Sequence, residues 1–138
     1  MSPQLRSSAK TFSMLLWLAL SAETAAGEVA QKNMVATELL RETIEGVPNK
    51  VVVMSRVSIP PDTQLPWHWH PGEEFFYVME GEITLLRPDR SDQLNQKGEA
   101  GKVPAGQIHT GRSGASGVTL LITRTLDQGQ PERLLVEE

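Results

Sequence analysis

Hydrophobic and polar positions alternate with period two along most of this chain, the pattern of strands that bury one face. The plainest case is KVVVMSRVSI, residues 50–59, stopped by Pro60-Pro61-Asp62. QLPWHWH follows, then a turn at Pro71-Gly72, then EEFFYVMEGEITLLR. In that last run Glu74, Phe76 and Val78 share one face and Phe75, Tyr77 and Met79 the other, and Glu80-Gly81-Glu82 is placed to turn a hairpin. Residues 87–101 are polar and read as a loop with a short strand late in it. A turn at Pro104-Ala105-Gly106 leads back into a strand at Ile108; SGVTLLITRTL, 116–126, is the last strong strand, and 134–136 a weak one. ATELLRETI, 36–44, has helical spacing that fits a strand nearly as well. Seven to nine short strands joined by turns, with 11 glycines and 9 prolines spread without a period, predict an all-β domain, a sandwich or a small closed barrel.

The first 26 residues stand apart. Arg6 and Lys10 precede an apolar run from Phe12 to Ala22, and the small residues Thr24, Ala25 and Ala26 follow. That order is the one of a secretory signal peptide, and a run of this length falls short of the roughly 20 residues that span a bilayer. The alternative is a buried N-terminal helix of the domain. Cutting after Ala26, with Ala22 the second candidate, leaves residues 27–138 as a mature domain with 11 basic and 16 acidic groups, exported to a periplasm or secreted and without a stable membrane span. The net charge of −4 and the absence of a Lys/Arg run exclude a nucleic-acid surface, which needs clustered positive charge. With no cysteine there is no disulfide, no thiolate nucleophile and no thiolate ligand, so any metal has to be held by histidine and carboxylate.

Only three histidines occur, and two are one residue apart in HWHPGEEFFYVMEG. On a strand His68 and His70 share a face, with Trp67 and Trp69 on the other, so two imidazoles can chelate one ion. If Glu74 faces them across the Pro71-Gly72 turn, it completes a two-histidine, one-carboxylate set beside Phe76 and Val78, and Glu73 points away as a surface charge. Such donors suit manganese, iron, nickel, copper or zinc. A His-x-His pair alone fits a half-exposed polar pair equally well. The third histidine, His109, follows a turn of the same kind in GEAGKVPAGQIHTGRS, so no histidine is placed elsewhere.

Together the two segments resemble the two motifs of the cupin superfamily. His68, His70, Glu74 and Gly81 match the first motif, and Gly98, Pro104, Gly106 and His109 the second. Two positions depart: Asp62 stands where the first motif opens with glycine, and Ser113 where the second closes with asparagine. Asp tolerates left-handed backbone, and Ser113 affects a turn contact rather than a ligand. Spanning residues 62–113, the resemblance implies a single-domain jelly-roll β-barrel in which His68, His70, Glu74 and His109 hold one divalent transition metal ion, leaving positions for water, dioxygen or substrate. It implies a metal-dependent enzyme acting on a small organic molecule, with dioxygenase-like oxidation as the leading class. A non-catalytic ligand-binding or sensing cupin is the alternative. An oxalate-active protein needs a cation near the metal, for which Arg87 and Lys102 are the candidates. Phe75, Tyr77 and Met79 leave a second apolar face, from which a homodimer is expected.

Overall fold

A computed structural model describes residues 34–137, so the expectation of a signal peptide over residues 1–26 lies outside the described residues. Among the described residues every regular element is a strand: β1 Val35–Thr43, β2 Lys50–Ile59, β3 His68–Trp69, β4 Glu74–Arg87, β5 Arg90–Gln96, β6 Ala100–Val103, β7 Thr110–Asp127 and β8 Leu134–Leu135. The ATELLRETI segment is a strand, paired antiparallel with β2 from Val35↔Ser58 to Thr43↔Val51. The polar segment after Arg87 is not a loop: it turns back at once into β5, which pairs with the second half of β4, and continues as β6 along the first half.

One sheet has the order β1-β2-β7-β4-β5, with β6 also on β4, and a second, two-stranded sheet joins β3 to β8. The closed barrel expected from the strand pattern is not formed. β1 and β5 end the large sheet, and β8 pairs with β3 instead of bridging those edges. The short segment after β2 runs beside β7 through only an isolated bridge, Gln64↔Arg112, with Leu65 donating to the Gly111 carbonyl and Ser113 to that of Thr63.

Alternation decides what is buried. Val51, Val53, Ser55, Val57 and Ile59 of β2 point inward, and in β4 Glu74, Phe76 and Val78 are buried while Phe75, Tyr77 and Met79 are exposed on the outer face. Past Gly81 the phase reverses, since Ile83 and Leu85 are the buried residues. β7 reverses too, from Ser113 to Val118, Leu120 and Ile122. A strand can change its inward face only by gaining or losing a residue, which is what a β-bulge does. The β4–β7 register shifts twice, between Val78 and Glu80, where β4 gains a residue, and between Gly81 and Ile83, where β7 does, so Gly81 lies between two irregularities of one long strand rather than in the hairpin read from Glu80-Gly81-Glu82. The inward side chains form one main core that includes Val57, Ile59, Phe76, Val78, Leu120 and Ile122.

This stretch requires glycine on both strands. Gly81 has φ 73° and a Cβ there would lie 2.0 Å from the Gly117 carbonyl oxygen; Gly117 has φ 77° and a Cβ there would lie 2.8 Å from the Ile59 oxygen. Gly98 is also left-handed, at φ 91°, but has open space around it. Gly81→Ala is therefore expected to cost about 3 kcal/mol or more and Gly98→Ala about 1–2 kcal/mol. Urea unfolding of the two variants measures this, and equal losses would show that the β4–β7 approach is not a constraint.

Candidate metal centre

Backbone pairing brings the three histidines together before their side chains are considered. His68 and His109 exchange N–H···O=C bonds at 3.0 and 2.9 Å, and the Gly106 N–H donates to the His70 carbonyl at 2.8 Å. The turn at Pro104-Ala105-Gly106 is thus laced onto the segment carrying the other two. From the opposite side β8 pairs Leu135 with His68 and Leu134 with Trp69, so the C-terminal segment straps over β3. All three imidazoles are buried, with ring centroids 4.3 to 5.1 Å apart, and one ring nitrogen from each lies within 4.8 Å of the others.

Each Nδ1 faces a backbone carbonyl: Pro66 at 2.7 Å for His68, Glu132 at 2.6 Å for His70, and Gln107 at 2.9 Å for His109. A carbonyl only accepts, so each Nδ1 carries the proton and each neutral ring keeps a lone pair on Nε2. This is the arrangement by which proteins orient metal-ligating histidines. Nε2 of His70 is fully buried and without a hydrogen-bond partner, although the Glu74 carboxylate oxygen Oε2 lies 3.0 Å away. Two lone-pair atoms this close are unfavourable unless they share a cation. Donors about 2.1 Å from an ion and at right angles to each other stand about 3.0 Å apart, so the contact fits two neighbouring ligands.

Glu74 occupies an inward position of β4, two residues before Phe76, and does not sit in the triad alone. Arg124 donates to its Oε2 from Nε at 2.8 Å and approaches the same oxygen with Nη2 at 2.7 Å. Arg124 Nη1 also reaches Glu132 at 2.9 Å, and Arg41 of β1 reaches the other Glu132 oxygen at 2.6 Å. Glu132 therefore works twice, its carbonyl fixing His70 and its carboxylate holding Arg124. Burial pushes the Glu74 carboxyl up, but the close contact with His70 and the Arg124 charge outweigh it and hold the group down at about 2. Burial, then the neighbouring His109, lowers His68 to about 3, and burial lowers His109 as well. Both rings are neutral at pH 7, the form that binds a metal.

A cavity of about 220 Å³ opens beside the triad, lined by His68, Glu74 and His109 at one end and by apolar side chains such as Ile59, Phe76 and Ile122. Arg124, Glu132 and Arg133 also line it. Arg87 and Lys102, the two cations considered from the sequence, do not: Arg87 donates to Gln93, and Lys102 pairs with Glu73 over the ring of Phe75. Glu73 is accordingly a surface charge. Arg124 could have been found in the sequence, because it falls on the inward phase of Val118, Leu120, Ile122 and Leu126 and is the one charge in that stripe. Glu132 and Arg133 follow an irregular turn and carry no such signal.

The model of the family described as "Cupin domain" matches residues 55–122. Both β-segments that bring the histidines together fall inside that span. The chain carries a cupin domain. The cupin is 30% identical over 73 residues to the uncharacterized protein YdbB of Bacillus subtilis (strain 168), a match covering 52% of this chain and 61% of that protein, so it spans about three-fifths of its curated relative. Among solved structures it resembles the DMSP lyase DddQ from Ruegeria pomeroyi DSS-3, with a TM-score of 0.67 at 21% identity over 81% of this chain and 56% of that one. It also resembles the polyketide cyclase RemF from Streptomyces resistomycificus, with a TM-score of 0.60 at 24% identity over 78% and 75%. These likenesses establish the fold of the cupin.

The buried imidazoles set a pH dependence. Unfolded, His68 takes up a proton near pH 6.5; folded, only near 3, so between those values acid favours the unfolded chain. Glu74 acts in the same direction lower down, its contribution being present above 4.5 and lost as pH falls toward 2. The urea midpoint of the metal-free protein is expected to fall between pH 7 and pH 5, less so in His68→Gln. A midpoint that is flat or rises on acidification contradicts the neutral burial of His68 and His109.

Proposed function

We propose that this cupin is a metal-dependent enzyme acting on a small organic molecule, with dioxygenase-like oxidation as its reaction class. The observation that carries the reading is the set of three Nε2 lone pairs, each fixed by a backbone carbonyl on Nδ1, at the end of a largely apolar cavity. His68, His70 and His109 would hold the ion through Nε2, and Glu74 would supply the fourth donor. The donor set suits manganese, iron, nickel, copper or zinc. When bound, such an ion supplies Lewis acidity and open positions for two reactants.

The chain's own residues do the rest. Arg124 fixes the Glu74 carboxylate beside His70, and Glu132 fixes Arg124. Apolar walls keep bulk water from the reacting end and strengthen electrostatic interactions there. The fold does not select the reaction, since one scaffold supports many chemistries.

Untagged protein is expected to hold close to one metal ion per chain by elemental analysis, and His70→Ala at least about tenfold less with an unchanged far-UV spectrum. The loaded protein is expected to consume dioxygen with at least one member of a panel of catechols, flavonols, diketones and small acids. Full occupancy with no oxygen uptake or turnover would replace the enzyme by a ligand-binding cupin, and absence of metal would remove the enzyme reading.

A further inference from the structure

The cavity wall has one cation that the metal centre does not use. Arg124 is committed, with N–H groups on Glu74 and Glu132. Arg133, next along the strap, lines the same cavity, is partly buried, and makes no hydrogen bond or ion pair with any described residue. It shares that lining with His68, Glu74 and His109. Burial and the neighbouring Arg124 charge lower its own proton affinity, against a smaller opposing effect of Glu74. A guanidinium offers five donors in a planar fork, and holding it partly desolvated without an acceptor is costly.

Counting charge gives the sign of the missing partner. Of the ionised groups lining the cavity, Glu74 and Glu132 balance Arg124 and Arg133, so a divalent ion on the histidines leaves two positive charges uncompensated. The remaining surface is aliphatic and aromatic. The ligand therefore needs a negative head and an apolar body. About 220 Å³ is the share of roughly seven water molecules, enough for one ring or a short hydrocarbon chain.

We propose that the cavity binds a small monocarboxylate with an apolar body, its carboxylate paired with the Arg133 guanidinium and its hydrocarbon part against Phe76 and Ile122. Arg–carboxylate pairing is bidentate and geometrically selective, which makes Arg133 a specificity-determining residue. The inference rests on the proposed metal site for its charge balance, whereas the Arg133 contact is testable separately.

Isothermal titration of the metal-loaded protein with phenylacetate and with 2-phenylethanol compares head groups on the same ring. The acid is expected to bind at least about tenfold more tightly than the alcohol. Arg133→Met should lose at least about tenfold in phenylacetate affinity while keeping its metal content and its affinity for the alcohol, and Arg133→Lys should recover part of the loss. Equal binding of acid and alcohol, no binding of either, tighter binding of inorganic phosphate, or an Arg133→Met variant that binds the acid normally would each overturn the proposal. Failure of the metal reading shows instead as protein that takes up no metal, and an Arg133-dependent preference for the acid in such protein would still uphold the carboxylate site.

Discussion

Three hydrogen bonds, from Nδ1 of His68, His70 and His109 to the carbonyls of Pro66, Glu132 and Gln107, govern how this site works. They fix the proton on the outer nitrogen of each ring and turn the lone pair of the other inward. Two acceptors lie two residues before the ring they hold, so each local segment orients its own histidine. The third comes from the C-terminal strap, which ties the triad to the integrity of a segment distant in sequence. Glu132 extends that tie through Arg124 to Glu74 and through Arg41 to the edge strand β1.

The scaffold meets this demand by making β4 and β7 long and bending both. Glu74 starts β4 and Thr110 starts β7, next to His109, so the donors sit where strands begin. The core lies further along the same strands. Two register shifts, on either side of Gly81, let each strand switch its buried face while the sheet stays continuous, and the contact between Gly81 and Gly117 leaves no space for a β-carbon. Binding chemistry and packing thus share strands but use different stretches of them.

Much of this was legible as period-two alternation, because a strand with one buried face records its orientation in its sequence. The faces of Glu74, Phe76 and Val78 against Phe75, Tyr77 and Met79 follow directly. Asp62 takes φ 50°, the left-handed conformation that its place in the motif requires. Ser113 accepts from the Thr63 N–H and donates to the Pro60 carbonyl, so it secures the turn after β2 without touching the triad. The phase reversal at Gly81 was also written in the chain, since Ile83 and Leu85 are out of step with Phe76 and Val78, yet a glycine between two glutamates looks locally like a hairpin turn. Sheet closure was not legible: it depends on which edges pair, and alternation carries no information about partners. Glu132 and Arg133 were invisible for a related reason, as their roles arise from a strap whose path is set by two β8 pairs.

The central claim is that three imidazoles converge on one ion through Nε2. X-ray absorption at the metal edge, on protein loaded with one equivalent of zinc, tests it most directly. The account predicts a first shell containing three imidazoles, with nitrogen at about 2.0–2.1 Å and the outer-ring scattering of imidazole. A shell of oxygens with one imidazole or none would contradict it.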